Sequence, residues 1–113
     1  MNPASLMIAS ALAVASTILP GCGSHERAVG HDRYGNGRSV FVKAGCGGCH
    51  TLGAAGTHGT TGPDFDTSEV LSRAQIRSQL DLGVGGMPSF RNRLTPRQKA
   101  DVAYFLAAAL RRR

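Results

Sequence analysis

Large aromatic side chains are scarce in this chain of 113 residues, which has no tryptophan and only 5% aromatic residues. The length suffices for one domain, and a domain this short buries only about 60% of the surface that its unfolded chain exposes. With so few large side chains, something other than protein must fill part of the core. We therefore expect a single small domain whose fold depends on a bound cofactor.

Charge is absent from the start of the chain, because no Asp, Glu, Lys or Arg precedes residue 26. Residues 6–19 are apolar apart from two serines and a threonine. This run is shorter than the about 20 residues that span a bilayer, and it is typical of the apolar region of a secretory signal peptide.

The end of the apolar run, Leu19-Pro20-Gly21-Cys22, resembles the lipobox of bacterial lipoproteins. No Lys or Arg precedes the run, which departs from that pattern. We predict a lipoprotein-type signal peptide over residues 1–21 and a lipid on Cys22, which would anchor the protein to a membrane. The alternative is a buried apolar N-terminal helix in which Cys22 has no role.

The rest of the chain shows helical patterns and no strand pattern. Residues 22–36 are polar, contain glycine and lack apolar periodicity, which predicts a flexible tether before a domain over residues 37–113. We predict a first helix over Arg38 to Ala44. Capping boxes begin at Ser72 and Thr95 and predict helices over residues 73–82 and from Pro96 to about Leu110. The predicted fold class is all-α.

The segment Cys46-Gly47-Gly48-Cys49-His50 admits three chemistries: a thiol-disulfide couple, part of a zinc site, or covalent attachment of haem. Zinc needs at least three protein ligands, and no second Cys/His pair occurs. A thiol-disulfide couple is expected in a βαβ pattern, which is missing. Haem attachment uses the whole motif, because the two thiols add to the two vinyl groups and His50 ligates the iron.

A sixth iron ligand is expected in a low-spin electron carrier, and a thioether raises the reduction potential. Met87 is the one methionine that follows the predicted signal peptide. It lies in the segment GVGGMPSF, where glycines allow a close approach to a flat ligand and Pro88 stiffens the backbone. We predict that Met87 ligates the iron, with His58 as the rival ligand.

Four motifs in a fixed order give residues 37–110 a resemblance to the small class I c-type cytochromes. They are a helix ending in C-x-x-C-H, a T-G-P-x-φ segment in which φ is an apolar residue, a G-x-M-P loop and a last helix beginning L-T-x-x-Q. The resemblance implies three or more helices around one haem c, with the carbonyl of Pro63 accepting a hydrogen bond from His50. It also implies that the first and last helices cross at Gly37, Phe41 and Tyr104.

One position departs from the family pattern, since Asp64 stands where the family has Asn after the proline. This substitution predicts a charge near the haem. We expect a single-electron carrier rather than an enzyme, and the alternative is a haem c sensor or enzyme subunit with an open distal site.

Acidic residues are few, with 7 Asp and Glu against 13 Lys and Arg and a formal charge of +6. The excess of positive charge favours redox partners, a reductase and an oxidase, with acidic docking faces; solubility is an equally simple explanation. We expect a monomer at the outer face of the cytoplasmic membrane or in the periplasm, with no role in nucleic-acid binding.

Overall fold

The computed structural model describes residues 25–112. Three helices dominate it: α1 over His25–Lys43, α2 over Arg73–Leu82 and α3 over Pro96–Leu110. Short 3-10 turns lie at Cys46–Gly48 and Gly53–Ala55. The predicted signal peptide and Cys22 lie outside the described residues. None of the helices within residues 25–112 combines the length and the apolar character that crossing a bilayer requires.

The starts of α2 and α3 confirm both predicted capping boxes. The hydroxyls of Ser72 and Thr95 accept hydrogen bonds from the backbone N–H of Gln75 and Gln98, whose side chains accept from the cap N–H in return. These bonds satisfy N–H groups that a helix start leaves without partners. Pro96 occupies the first turn of α3, where its missing N–H costs nothing.

The crossing of α1 and α3 forms the centre of the core. A Cβ at Gly37 would lie 2.6 Å from the Cβ of Phe105 and closer still to the carbonyl oxygen of Asp101. The two backbones approach this closely because Gly37 has no side chain. The Phe105 ring is fully buried and makes edge contacts with Tyr34 and Phe41, at centroid distances of 4.9 and 5.9 Å.

The aromatic residue at this crossing is Phe105, so the expectation of Tyr104 is wrong. One residue along a helix turns the side chain by about 100°, and this turn leaves Tyr104 half-exposed. There the guanidinium groups of Arg33 and Arg73 lie over its ring, 5.9 and 5.8 Å from the centroid.

The first helix begins at His25 rather than near Arg38, so residues 25–36 of the predicted tether are helical. The polar composition and the glycines of this segment disfavour a helix, but contacts with α3 stabilise it. Tyr34 packs on Phe105, and the Arg33 Nε lies 3.6 Å from a carboxylate oxygen of the buried Asp101. Helices in proteins gain most of their stability from such packing rather than from intrinsic propensity.

A two-stranded antiparallel sheet adds a small β element that the sequence patterns did not predict. β1 covers Thr51–Leu52 and β2 covers Thr57–His58, with Thr51 opposite His58 and Leu52 opposite Thr57. Strands of two residues are too short to show an alternating pattern. The sheet closes the loop after the C-x-x-C-H motif and buries Leu52 in the core.

Candidate haem site

The C-x-x-C-H motif forms a tight turn directly after α1. The backbone N–H groups of Cys49 and His50 both donate to the carbonyl of Cys46, at 3.2 and 3.0 Å. The turn is packed closely against β2, because a Cβ at Gly47 would lie 2.7 Å from the Cβ of Thr57. The two cysteines and the histidine are therefore held by one compact backbone unit.

The imidazole of His50 is buried and fixed on several sides. Its Nδ1 lies 2.8 Å from the carbonyl oxygen of Pro63, and its ring stacks on Phe65 at a centroid distance of 4.3 Å. A carbonyl oxygen can only accept a hydrogen bond, so Nδ1 carries the proton and donates. The Nε2 lone pair is then free to bind a metal ion, and the hydrogen bond at Nδ1 fixes the orientation of the ring.

The loop after α2 holds Met87 by backbone contacts with the end of that helix. Gly83 ends α2 at φ 63°, in the left-handed region that favours glycine. A Cβ there would lie 2.6 Å from the backbone nitrogen of Ser89. The N–H of Met87 donates to the carbonyl of Val84 at 3.2 Å, and the N–H of Phe90 donates to Leu80 at 2.7 Å. These contacts fold the loop back over the core.

An apolar cavity of about 740 Å³ lies between these elements. Its size falls within the about 300–1,000 Å³ of cofactor sites in proteins. Cys46, Cys49, His50 and Met87 all line it, the first three from the turn after α1 and Met87 from the loop after α2. The remaining walls include Phe41 and buried aliphatic side chains of α2 and α3, namely Ile76, Leu80, Val102 and Leu106.

The two cysteines differ in their surroundings. Cys49 is exposed and Cys46 is half-buried. Burial raises the pKa of the Cys46 thiol to about 11, a shift that a hydrogen bond from the backbone partly opposes and that Cys49 reinforces. The Cys46 thiol is therefore protonated near neutral pH.

The two candidates for the sixth ligand differ in exposure and in position relative to the cavity. His58 is exposed on β2 and lies outside the cavity lining, whereas Met87 is half-buried in it. The carboxylate of Asp64 also lies outside the lining and accepts a hydrogen bond from the N–H of Asp66. The acidic residue in the cavity wall is Glu69.

Three further residues shape the position of His50, and none of these roles was predicted from the sequence. Phe65 stacks on the ring, and the hydroxyl of Thr57 donates to the carbonyl of His50 at 3.0 Å. At Gly62, a Cβ would lie 2.6 Å from the imidazole Cε1. Gly62 and Phe65 lie on either side of Pro63 within the T-G-P-x-φ segment, so the motif contained these residues, but their contacts with the imidazole arise only in the folded chain.

These groups fit a haem that is attached through its vinyl groups. Two thiols, a free imidazole nitrogen and a thioether sulfur line one mainly apolar cavity, and together they are the donor set of a haem c with two axial ligands. The fold and the cavity thus define a small helical haem-binding protein.

Comparisons with known proteins agree with this class. Residues 32–106 match the family model described as cytochrome C oxidase, cbb3-type, subunit III. The chain is 39% identical over 77 residues to the cytochrome c6 of Gloeothece citriformis (strain PCC 7424), covering 64% of this chain and 67% of that protein. The crystal structure of the c-type cytochrome SorU from Sinorhizobium meliloti superposes with a TM-score of 0.64 and 27% identity, covering 70% of this chain and 92% of SorU.

The chain belongs to the c-type cytochrome family. Its fold is the class I cytochrome c fold, and its cofactor is covalently bound haem c with its iron. The family match begins at residue 32, inside α1 and before the predicted domain start at residue 37.

Proposed function

We propose that this protein is a single-electron carrier in which Cys46 and Cys49 hold the haem and His50 and Met87 are the axial ligands. One observation carries the proposal: His50 and Met87 line the same apolar cavity from separate segments, and the Nδ1 hydrogen bond leaves Nε2 of His50 free. Haem iron supplies a one-electron couple. The hydrogen bond to Pro63 holds the His50 imidazole in one tautomer.

Pro63 acts on the iron through His50 in this proposal. Its carbonyl accepts the Nδ1 proton and raises the basicity of the ligating nitrogen. Phe65 and Gly62 keep the ring in place, since one stacks on it and the other leaves room for it. A rigid ligand set favours electron transfer, because little has to move when the iron changes its charge.

The ligand assignment is tested with Met87→Ala and, as the matched control, His58→Ala. Met87→Ala should keep the haem attached but give a high-spin or water-ligated ferric spectrum and a lower potential, within the about 0.8 V that axial ligands span. His58→Ala should retain the wild-type spectrum and potential. The reverse pattern would assign the sixth ligand to His58. Rapid carbon monoxide binding by the wild-type ferrous protein would favour a sensor or an enzyme subunit with an open distal site.

The attachment is tested by acid-acetone extraction and by the intact mass. Haem that remains with the wild-type protein after extraction, and a mass increase of one haem, are the expected results. Cys46→Ala and Cys49→Ala should each lose one thioether bond. Complete recovery of haem in the organic phase from the wild type would contradict covalent attachment through these cysteines.

For the location, we propose an exported protein at the outer face of the cytoplasmic membrane or in the periplasm, anchored by a lipid on Cys22 and acting as a monomer. The support is the apolar run up to Leu19 and the cysteine behind Gly21, together with the similarity to a cytochrome c6. Two acyl chains anchor a protein stably where one does not. Cys22→Ser should release the protein into the soluble fraction or block its processing. A soluble wild type whose mature N-terminus is not Cys22 would refute the anchor.

A further inference from the structure

The loop between α2 and α3, which carries Met87, is held at its base by three side chains that do not line the cofactor cavity. The Nζ of Lys99 on α3 lies 2.6 Å from a carboxylate oxygen of Asp81 on α2. The same Nζ lies 3.5 Å from the carbonyl oxygen of Arg91, beyond Met87 in the loop. The hydroxyl of Ser89 donates to the carbonyl of Asp81 at 2.7 Å. We call Lys99, Asp81 and Ser89 the loop clasp.

The ion pair of the loop clasp is better shielded from water than an ordinary surface pair. The Lys99 side chain is 14% exposed, whereas that of Arg97, which pairs with Asp101 within α3, is 73% exposed. Exposed ion pairs contribute little to stability, but a short hydrogen bond between charged groups is stronger than a neutral one. Lys99 therefore loses a strong contact if the loop moves away from Asp81 and Arg91.

A short and stiff stretch of backbone connects the loop clasp to Met87. Ser89 follows Met87 with only Pro88 between them, and the proline ring fixes φ at that position. The backbone nitrogen of Ser89 also packs against Gly83, where a Cβ would lie 2.6 Å from it. The N–H of Arg91 donates to the Ser89 hydroxyl at 3.3 Å. Ser89 therefore cannot shift without moving Met87 as well.

Loops open locally with free energies below that of global unfolding, so contacts at the base of a loop set how often it opens. We propose that Lys99 is a positioning residue: through Asp81 and Ser89 it holds the thioether of Met87 in the cavity and keeps the sixth position of the iron closed to small external ligands. This inference rests on the proposed function, because it takes Met87 as the axial ligand. Lys99 acts through the loop, since it does not line the cavity itself.

The test measures the rate at which azide binds to the ferric holoprotein. Azide reaches the iron only after the thioether has left it, so this rate reports the opening of the loop. Lys99→Met should raise the rate about tenfold, because it removes the charged hydrogen bonds of the loop clasp. Ser89→Ala removes one neutral hydrogen bond and should raise the rate about fivefold. Lys99→Arg keeps a cationic donor and should stay close to the wild type.

The chain offers matched controls for both kinds of change. Arg97→Met removes another ion pair of α3, the one with Asp101, which lies within the helix. Ser78→Ala removes a hydroxyl from the exposed face of α2. Both should keep the wild-type azide rate, even if Arg97→Met lowers the melting temperature. Equal azide rates for Lys99→Met and Arg97→Met would overturn the role of Lys99, because a merely structural ion pair changes global stability and not the opening of this loop.

Hydrogen exchange of the loop amides separates this outcome from that of the proposed function. The N–H groups of Met87 and Phe90 donate to Val84 and Leu80, and both should exchange about tenfold faster in Lys99→Met whether or not Met87 binds iron. Faster exchange in a protein whose ferric spectrum lacks His/Met ligation would contradict the ligand assignment alone. Unchanged exchange and azide binding in Lys99→Met, with His/Met ligation present, would overturn the role of Lys99 alone.

Discussion

Because α1 and α3 approach closely at Gly37, we predict that alanine changes the free energy of unfolding in opposite directions at Gly37 and at the nearby Gly35. In Gly37→Ala the new Cβ would lie 2.6 Å from the Cβ of Phe105 and against the backbone carbonyl of Asp101, neither of which can rotate away. Gly35 lies in the same helix, and a Cβ there would meet nothing within 4 Å. The pair therefore separates helix propensity from packing.

The magnitudes follow from two competing terms. Replacing glycine by alanine inside a helix stabilises the protein by roughly 0.5–1 kcal/mol. Overpacking of a close contact costs about 1–3 kcal/mol, and the rigid backbone contact at Gly37 places it at the upper end. Gly37→Ala should thus lose about 2 kcal/mol, whereas Gly35→Ala should gain up to about 1 kcal/mol.

Thermal unfolding of the holoprotein provides the assay, with denaturant titration as a second measurement. For a domain of this size 1 kcal/mol corresponds to about 4–8 °C in Tm. We expect Gly37→Ala to melt about 8 °C or more below the wild type and Gly35→Ala to melt a few degrees above it. If both variants gained stability to a similar extent, α1 and α3 would not be in close contact at Gly37.

Three further substitutions test the site and its supports. Gly62→Ala should displace the His50 ring and raise the high-spin fraction in the ferric spectrum. The control Gly48→Ala should leave the spectrum unchanged, because a Cβ there meets nothing within 4 Å. Equal spectra for the two variants would count against the placement of His50. Thr95→Ala should lower the free energy of unfolding by about 1 kcal/mol through loss of the α3 cap. Thr95→Ser keeps the acceptor and should retain most of that stability, so an equal loss in both would argue against a capping role.

The last substitution, Lys99→Met, tests the ion pair with Asp81. The hydrogen bond from Lys99 holds the pKa of the Asp81 carboxyl below its ordinary value of 3.8. Because the folded-state pKa is lowered, the stabilisation is present above the unfolded-state pKa and is lost as the pH falls through the folded-state value. Lys99→Met should raise the Asp81 pKa in an NMR titration. An unchanged Asp81 pKa in this variant would contradict the ion pair.

Short-range patterns predicted much of this protein correctly. The capping boxes at Ser72 and Thr95 fixed the starts of α2 and α3, because a cap and its helix lie within four residues of each other. The C-x-x-C-H motif pointed to covalent haem for the same reason, since its spacing is set by bonds within one turn. The order of the four motifs was enough to indicate the family.

Long-range packing decided what those patterns could not. Residues 32–36 lie in α1 although their composition predicted a tether, because Tyr34 and Arg33 contact α3. The choice of Phe105 over Tyr104 depended on how α3 is rotated against α1, and a sequence pattern does not specify that angle. Such contacts join residues far apart in the chain, so their energy appears only when the helices meet.

For the candidate site, too, the residue types could be predicted from the sequence, whereas their placement depends on the fold. The sequence by itself named the groups that can bind haem, because thiols, imidazole and thioether are recognisable by residue type and spacing. Only the tertiary structure placed Met87 in the cavity and His58 outside it, and only there do Phe65 and Gly62 meet the imidazole of His50. The chemistry of a ligand is a property of one residue, whereas its orientation depends on neighbours that the fold brings together.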